Sequence, residues 1–367
     1  MNWKEEWANN ICTTDDLNGY IKEENKGKIM DVIKRHPMSI PHYYLNLIDK
    51  TDIKDPIKKL SVPGIYELDD SGDYDTSGEA SNTKFAGLQH KYNTTVLVIT
   101  TNSCFMYCRH CFRKRMVGYS EEEISKTLDS TLEYIKSHKE INNVLLSGGD
   151  SFCLSNSTIK KYIEGLSKIE HLDFIRFGTR SPVVFPERIY EDNELLSILK
   201  NGTKNKQIYV VTQFNHPNEI TYEAKKSVDA LLMSGIRVNN QTVLLKGVND
   251  DPKILSSLLN GLVKTGINPY YVFQCRPVKS VKSSFQLPII EAVRIIDETK
   301  LNLNGFSKRF KFIMSHVRGK IEIIGEYNGK IVFKFHQAKL KEDNNKIFMR
   351  DIVENGKWLD ENLEFIE

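Results

Sequence analysis

The chain has 367 residues, enough for one large α/β domain with additions or for about two domains of ordinary size. Lysine and arginine number 51 against 48 acidic residues, and a net charge of +3 argues against a polyanion such as nucleic acid as the main partner. Hydrophobic residues make up 40% and charged residues 27%, as in ordinary folded proteins. The sequence shows neither a signal peptide nor an apolar membrane span, so we expect a cytoplasmic protein without a membrane partner.

Residues 1–90 predict an N-terminal helical extension and a connecting loop. Two helical stretches flank the segment 36–41, and a loop rich in Asp, Ser and Gly follows over residues 69–83. No run in this part has the length and apolar character of the strands that follow.

From residue 95 a β-branched run, a polar turn and a helical period repeat six times. The predicted strands are Thr95–Thr101, Asn143–Ser147, Phe174–Gly178, Ile208–Gln213, Ile236–Leu244 and Tyr270–Gln274. The predicted helices lie near residues 120–138, 157–169, 187–200, 218–234, 251–265 and 288–301. Buried strands that alternate with helices form a parallel sheet, and six units fall short of the eight in a closed barrel. We therefore predict an α/β fold, a partial open (β/α)6 barrel over residues 91–303, with functional groups at the C-terminal ends of its strands.

Residues 304–367 predict a small C-terminal β-rich region. Short alternating runs occupy Lys311–Met314, Lys320–Ile324 and Lys330–Phe335, and the pair Asn328-Gly329 is a hairpin signal.

Three of the six cysteines lie within eight residues directly after the first predicted strand. Cys104, Cys108 and Cys111 form a C-x3-C-x2-C motif, whose three thiolates can bind one iron–sulfur cubane and leave one iron open. A zinc site would need a fourth ligand nearby, and His110 directly precedes a cysteine and is poorly placed to join the same tetrahedron. Packing of three small thiols in a loop is the alternative. The other cysteines are scattered and predicted to be unreactive: Cys12, Cys153 and Cys275.

Further polar residues follow other strands of the repeat. Gly148, Gly149 and Asp150 end the second strand, where two glycines let the backbone approach a ligand and leave amide groups available. The alternative is an ordinary Gly-Gly-Asp turn. Gln213 and Gln241, at the ends of the fourth and fifth strands, can hydrogen-bond a nucleoside or simply line the rim.

Four cations lie within seven residues around the last cysteine: Arg109, Arg113, Lys114 and Arg115. A run of charges is usually a solvated face. Here it sits at the predicted mouth of the barrel, where an arginine can bind a carboxylate through two hydrogen bonds.

The motifs together resemble the radical S-adenosylmethionine (SAM) superfamily, and within it the lysine 2,3-aminomutase family, along nearly the whole chain. The matching segments are His36–Ser39, Asp75–Glu79, His90–Tyr92, Cys108–Arg115, Leu146–Asp150, Arg176–Pro182, Asn215–Thr221 and Gln241–Asp250. The resemblance implies a [4Fe-4S] cluster whose open iron binds SAM. It also assigns SAM contacts to Gly148–Asp150, Gln213 and Gln241, and the substrate's α-carboxylate to Arg113.

The family also uses pyridoxal phosphate, held by a lysine that follows a run of glycines. The matching segment is 312–322, which keeps Gly319 and Lys320 but lacks the glycine run. Lys320 is therefore the candidate lysine, with Lys91 and Tyr92 as contacts on the phosphate side. The alternative is that Lys320 opens a solvated surface strand.

Substrate choice departs from the lysine enzymes. The resemblance places Arg276 where they carry an aspartate that binds the distal ammonium of lysine. An arginine there would repel an ammonium by a few kcal/mol. We therefore predict a neutral or acidic amino acid as substrate, with Arg276 able to bind a second carboxylate. No cysteine follows Cys275, so the zinc-binding tail of some family members is not expected.

The predicted activity is reductive cleavage of SAM to a 5′-deoxyadenosyl radical that abstracts hydrogen from an amino acid, followed by a 2,3-amino shift assisted by pyridoxal phosphate. The alternative is a radical SAM enzyme without pyridoxal phosphate that epimerises, dehydrates or modifies a peptide or protein. A cluster-dependent sensor ranks last, because it would not need the Gly-Gly-Asp turn or the cationic mouth. An electron donor such as flavodoxin or ferredoxin and a homo-oligomeric state are expected.

Overall fold

The computed structural model describes residues 3–118, 120–125 and 127–366. Its N-terminal part contains short helices and two strands: α1 (Trp3–Ala8), α2 (Lys26–Arg35), α3 (His42–Leu45), α4 (Pro56–Ser61), α5 (Glu79–Asn82), β1 (Thr83–Phe85) and β2 (Leu88–Tyr92). The sequence predicted no strand here. β2 pairs antiparallel with the next strand, so this region adds an edge to the main sheet.

Seven parallel strands form the centre of the sheet. They are β3 (Thr95–Thr101), β4 (Asn143–Gly148), β5 (Phe174–Gly178), β6 (Gln207–Thr212), β7 (Arg237–Leu244), β8 (Asn268–Gln274) and β9 (Lys311–His316). Their connections contain α6 (Leu128–Ser137), α7 (Asn156–Ser167), α8 (Ser181–Val184), α9 (Glu187–Tyr190), α10 (Asn193–Gly202), α11 (Tyr222–Met233), α12 (Pro252–Lys264), α13 (Lys282–Phe285) and α14 (Ile289–Leu301). The six predicted strands are confirmed with small shifts at their ends.

The sequence assigned the seventh parallel strand to the C-terminal β-rich region, and in the structure this strand joins the parallel part of the sheet. β9 follows α14 as a further crossover and pairs parallel with β8. Antiparallel strands then continue the same sheet: β10 (Gly319–Tyr327), β11 (Lys330–Ala338) and β12 (Ile347–Asp351). The sheet runs from β1 to β12 in chain order, and no pairing between its two edges is found in the described part of the chain, so the barrel is open. β13 (Trp358–Leu359) and β14 (Phe365–Ile366) form a separate two-stranded sheet.

The turn between β10 and β11 is the hairpin predicted from sequence. Asn328 and Gly329 have φ angles of 49° and 73°, and Tyr327 pairs with Lys330 across the turn. Two central residues with positive φ suit the right-handed twist of the flanking strands.

The longer helices of the connections bury one face, as α12 illustrates against β8. Asp251 caps its first turn by accepting from two backbone amides, and a proline occupies the first helical position. Its buried leucines recur at spacings of three and four residues: Leu255, Leu258, Leu259 and Leu262. None of the described helices is both long and apolar enough to cross a bilayer.

The N-terminal extension packs against the loop that carries the three cysteines. The amide of Tyr107 donates to the carbonyl of Ser39 at 3.0 Å, and the amide of Arg109 donates to the carbonyl of Leu60 at 3.0 Å. The rings of Trp7 and Phe105 lie 5.1 Å apart between centroids. The extension therefore fixes the cysteine loop from outside the barrel.

Candidate active site

The three cysteines lie on the loop after β3, at the C-terminal edge of the parallel strands. Two nitrogen groups point at their sulfurs: the Arg180 guanidinium donates to Cys108 Sγ at 2.8 Å, and the Arg113 amide donates to Cys111 Sγ at 3.3 Å. Burial raises the pKa of the Cys104 and Cys111 thiols, which would be bound to iron as thiolates. Donors aimed at sulfur suit thiolates that carry negative charge, so the loop fits an iron–sulfur cluster.

Within the described ranges, no group of three His, Cys, Asp or Glu residues is placed to hold a single metal ion. In a cubane cluster each thiolate binds a different iron, so the three sulfurs do not need to converge on one metal ion. His110 is engaged elsewhere: its Nε2 lies 3.1 Å from the side-chain amide nitrogen of Gln213 and 3.3 Å from the side-chain amide nitrogen of Asn215. Burial lowers the pKa of His110 well below its usual range, so the neutral ring accepts from these amides.

The two glutamines predicted to contact SAM have different surroundings. Gln213 directly follows β6 and contacts His110. Gln241 was predicted to lie at the end of a strand, and the structure does not place it there. It sits within β7, paired in register with Tyr271 of β8, because β7 extends to Leu244.

The Gly-Gly-Asp turn packs directly on the cysteine loop. The Gly149 amide donates to the Thr101 carbonyl at 2.6 Å, and the Asp150 amide donates to the Ser103 carbonyl at 2.8 Å. A Cβ on Gly149 would lie 2.1 Å from the Ser103 carbonyl oxygen. The prediction that these amides are available to a ligand is therefore wrong, because they bind backbone. The glycines are needed for close contact between two loops, with Gly148 at a φ of 121°.

The Asp150 carboxylate is buried and already hydrogen-bonded. It accepts from the Thr179 hydroxyl at 2.6 Å, the Phe152 amide at 2.9 Å and the Arg180 amide at 2.7 Å. Burial raises the pKa of Asp150, against the effect of these donors. A carboxylate has about four acceptor positions, so one remains for an ammonium.

All four cations near the cysteines form an ion pair with a buried carboxylate, either Glu67 or Glu79. Arg109 makes a two-pronged ion pair with Glu67, and Lys114 donates to the same carboxylate at 2.5 Å. Glu67 is fully buried, and despite burial the two cations lower its pKa. Arg115 binds Glu79 at 2.5 Å and Glu123 at 2.7 Å. We call Arg109, Lys114 and Arg115 the rim cations; their role is structural, contrary to the predicted cationic mouth.

Arg113, the predicted ligand of the α-carboxylate, is only partly engaged. Its Nη2 donates to Glu79 at 3.0 Å, while Nη1 lies 3.5 Å from both the Ser147 hydroxyl and the Gly148 carbonyl. Its Nε is buried without a hydrogen-bond partner among the described residues. Burial alone would raise the pKa of Glu79, but its arginine neighbours hold it at about 2, so the carboxylate stays ionised. Arg113 keeps donors for a further anion.

Arg276 lies close to Arg113 around one aromatic ring. The two guanidinium carbons are 4.1 Å and 4.6 Å from the centroid of Phe112. Arg276 donates to the hydroxyls of Ser77 and Ser315, each at 2.9 Å. In the described part of the chain it forms no ion pair with a carboxylate. Burial lowers its pKa, as expected for a cation without a direct counter-ion.

Lys320 does not lie on a solvated strand. Its neighbour Ile321 packs in the core, so the side chain of Lys320 points to the opposite face of β10. It pairs in register with Ser315 on β9, the residue that binds Arg276. Its Nζ lies over the rings of Tyr92 and Tyr271, at 5.1 Å and 5.4 Å from their centroids. Burial, with nearby guanidinium groups, lowers the pKa of Lys320 to about 7.

Lys91 lies in the same interior. Its Nζ donates to the carbonyl of Ser77 at 3.0 Å and to that of His316 at 2.6 Å. Burial, followed by the charge of Arg276, lowers its pKa to about 7, while burial raises that of Tyr92. We call Lys91, Arg276 and Lys320 the interior cations.

The segment aligned with the family's glycine run is a tight hairpin. His316 pairs with Gly319, leaving only Val317 and Arg318 in the turn between β9 and β10. Gly319 has a φ of 153°, and a Cβ there would lie 2.3 Å from the Gln337 carbonyl oxygen. Glycine is required before Lys320 because β10 passes so close to β11.

Sequence reasoning missed Glu67, Glu79, Phe112 and Arg180 as parts of the site. Glu79, Phe112 and Arg180 lie in segments that carried the family resemblance, and that was the available signal. Glu67 stood in no recognised motif, and only its burial between two cations shows its role.

Comparisons with known proteins agree with this geometry. Residues 98–257 match the family model described as the radical SAM superfamily. The chain is 38% identical to the L-lysine 2,3-aminomutase of Acetoanaerobium sticklandii, over 83% of this chain and 73% of that protein. It is 38% identical to the L-lysine 2,3-aminomutase of Methanococcus maripaludis, over 89% and 77% of the two chains. It is 36% identical to the glutamate 2,3-aminomutase of Clostridioides difficile, over 83% and 72%.

Among solved structures, a radical SAM methyltransferase from Sphaerobacter thermophilus matches with a TM-score of 0.42 and 15% identity, covering 62% of this chain and 68% of that one. That likeness is too distant to inform the site. The fold, the cysteine loop and the family model together define a radical SAM enzyme.

More narrowly, the chain belongs to the lysine 2,3-aminomutase family of that superfamily. It is therefore an enzyme of the isomerase type that uses a [4Fe-4S] cluster and SAM, acts on a free amino acid as a small-molecule substrate and needs an electron donor.

Proposed function

We propose that this enzyme is a 2,3-aminomutase of an acidic α-amino acid, assisted by pyridoxal phosphate. The observation that carries the proposal is the position of Arg276. This half-buried guanidinium lies beside Arg113 across the Phe112 ring and has no carboxylate partner among the described residues. Arg113 binds the α-carboxylate of the substrate, and Arg276 binds the carboxylate of its side chain.

Charge decides between the possible substrates. At about 4 Å and an effective dielectric constant of about 20, two like charges repel by about 4 kcal/mol, so a lysine ammonium beside Arg276 is disfavoured. A neutral side chain would leave the guanidinium buried without a counter-ion, which is also costly. The charge of Glu79 acts on Arg276 through space, but its carboxylate already binds Arg113 and Arg115. An acidic substrate is the one that completes the site.

The interior cations fit pyridoxal phosphate. Lys91 and Lys320 are half-buried, and their pKa values are lowered by burial first and then by nearby guanidinium groups, so an anion placed between them would stabilise their charged forms. Lys320, with a pKa of about 7, is partly neutral at neutral pH and can bond to a carbonyl carbon. When bound, the cofactor would supply the π-system that an amino shift between adjacent carbons requires.

The cysteines and the charged residues of the site then have the following tasks. Arg113 and Arg276 would orient the two carboxylates, and Lys91 would bind the phosphate beside the Tyr92 ring. The three cysteines would hold the cluster at the rim. The remaining acceptor position on Asp150 would take the ammonium of SAM. Bound ligands filling this space would exclude water from the reacting carbons.

The test is an anaerobic assay of the reconstituted enzyme with SAM, dithionite and pyridoxal phosphate. Glutamate and aspartate are compared with alanine and lysine, and the β-amino acid product and 5′-deoxyadenosine are both measured. We expect an acidic amino acid to give the highest kcat/KM. Turnover of lysine at a similar kcat/KM would overturn the substrate assignment. Product formed without pyridoxal phosphate would favour the alternative chemistry.

Replacing Arg276 sharpens the assignment. Truncating one partner of a buried charge pair costs about 2–5 kcal/mol, so Arg276→Met should lower kcat/KM for the acidic substrate by at least about 30-fold. Arg276→Asp should reverse the preference and favour lysine over the acid. Arg309→Met, on an exposed arginine remote from the site, is the matched control and should leave kcat/KM unchanged.

A further inference from the structure

Arg180 makes a contact that binding of the substrate does not explain. It follows β5, and its buried guanidinium reaches across the barrel rim to the cysteine loop. Nη1 donates to Cys108 Sγ at 2.8 Å, Nε donates to the Gln213 carbonyl at 3.0 Å, and Nη2 pairs with Glu219. Nη2 also lies 3.4 Å from the Tyr44 hydroxyl oxygen.

The ion pair is oriented with its positive end toward sulfur. Glu219 sits on the Nη2 side of the guanidinium and is fully buried. Its carboxylate also accepts from the Tyr44 hydroxyl at 2.5 Å, the Asn215 amide at 2.5 Å and the His216 amide at 3.0 Å. These donors share the negative charge on the far side of the pair, while the cation faces Cys108.

We propose that Arg180 sets the reduction potential of the cluster by donating to the thiolate of Cys108. Reduction brings one electron from the external donor into the cluster, changes no covalent bond and adds negative charge that spreads onto the cysteine sulfurs. A cation that donates to one of those sulfurs stabilises the reduced state more than the oxidised state. Arg180 is a positioning residue that acts through Cys108, and it makes the electron that cleaves SAM easier to supply.

Replacing Glu219 should shift the reduction potential of the cluster in the opposite direction from replacing Arg180. Removing the guanidinium charge should make the cluster harder to reduce. Neutralising Glu219 while keeping Arg180 should leave the cation facing sulfur uncompensated, and the cluster should become easier to reduce. A general loosening of the loop would shift both variants the same way, so the sign of the shift separates tuning from damage.

The experiment is a redox titration of the reconstituted enzyme, followed by the electron paramagnetic resonance signal of the reduced cluster. In Arg180→Gln we expect the ratio of reduced to oxidised cluster at a fixed potential to fall about tenfold, equal to about 59 mV for one electron. In Glu219→Gln the ratio should rise. Arg188→Gln is the matched control, because Arg188 is also a buried arginine and pairs with Asp192 at 2.6 Å without a hydrogen bond to sulfur. The reduction potential of the cluster in this control variant should equal that of the wild type.

Iron and sulfide content is measured first, because the role of Arg180 requires that Cys108 binds the cluster. A wild-type enzyme that assembles no cluster overturns both the cysteine assignment and the role of Arg180. An assembled cluster with an unchanged potential in Arg180→Gln, or with both variants shifted in the same direction, overturns the role of Arg180 alone. If Arg180→Gln does not retain its cluster, an unshifted Glu219→Gln overturns the proposal and a raised ratio supports it.

Discussion

The rim cations and the interior cations are all buried or half-buried, yet they are stabilised in opposite ways. Arg109 and Lys114 share the carboxylate of Glu67, whereas Arg276 donates to hydroxyl groups and Lys91 to carbonyl groups. A buried cation with a carboxylate partner holds the fold together. A buried cation with only neutral acceptors is left for an anion that arrives from outside.

The largest effect on this contrast should come from Lys320→Ala. The variant removes the only amine that we assign to covalent binding of pyridoxal phosphate, so the visible absorbance of the bound cofactor and the β-amino acid product should both be lost. Iron content and reductive cleavage of SAM in the absence of substrate should stay, because the cysteine loop is unchanged. Retention of the cofactor absorbance would show that another lysine carries it.

Breaking the rim is expected to destabilise the fold. Glu67→Gln leaves two buried cations without their shared counter-ion and should lower the free energy of unfolding by about 3–5 kcal/mol, measured by urea titration of the apoprotein. Glu164→Gln, at an exposed carboxylate paired with Lys160, is the matched control and should change it by less than about 0.5 kcal/mol. Equal effects of the two variants would contradict the structural role of the rim.

The pH dependence of pyridoxal phosphate binding tests whether the pKa of Lys320 is lowered. Only the neutral amine of Lys320 bonds to a carbonyl carbon, and its neutral fraction rises through a pKa of about 7. The rate of loading should increase about tenfold per pH unit below pH 7 and level off above it. N-acetyl-lysine methylamide, with an ordinary amine, should still be gaining rate near pH 10. If the loading rate of the protein has the same pH dependence as that of the model compound, Lys320 is not desolvated.

The smallest effect is expected from Arg276→Met on stability. Because Arg276 has no carboxylate partner among the described residues, replacing it with an apolar side chain should change the free energy of unfolding by about 1 kcal/mol or less, in either direction. The acidic substrate should raise the melting temperature of the wild type and not that of the variant. A loss comparable to that of Glu67→Gln would place Arg276 with the structural cations.

Much of the fold could be predicted because strand burial and helix periodicity are local patterns. All six predicted barrel strands exist, and the Asn328-Gly329 hairpin follows from the backbone freedom of two residues. The parallel pairing of β9 could not be predicted, since its short alternating run looks the same in either direction. Only its position after α14 and beside β8 decides the pairing.

The site likewise has features that the sequence could predict and features that it could not. Spacing alone pointed to Cys104, Cys108 and Cys111, because three thiols on one short loop have few other uses. Spacing could not show that Asp150 donates its amide to Ser103 of the cysteine loop, because that bond joins residues from two different βα units.

The sequence by itself determined the family, the βα repeat, the cysteine motif and the exchange of an acidic position for Arg276. The tertiary structure decided which of the many cations carry the fold and which are left for a ligand. The reason is that a charge is defined by its partners: Glu67 and Glu79 lie far along the chain from the arginines and lysine that they neutralise, and only folding brings them within reach.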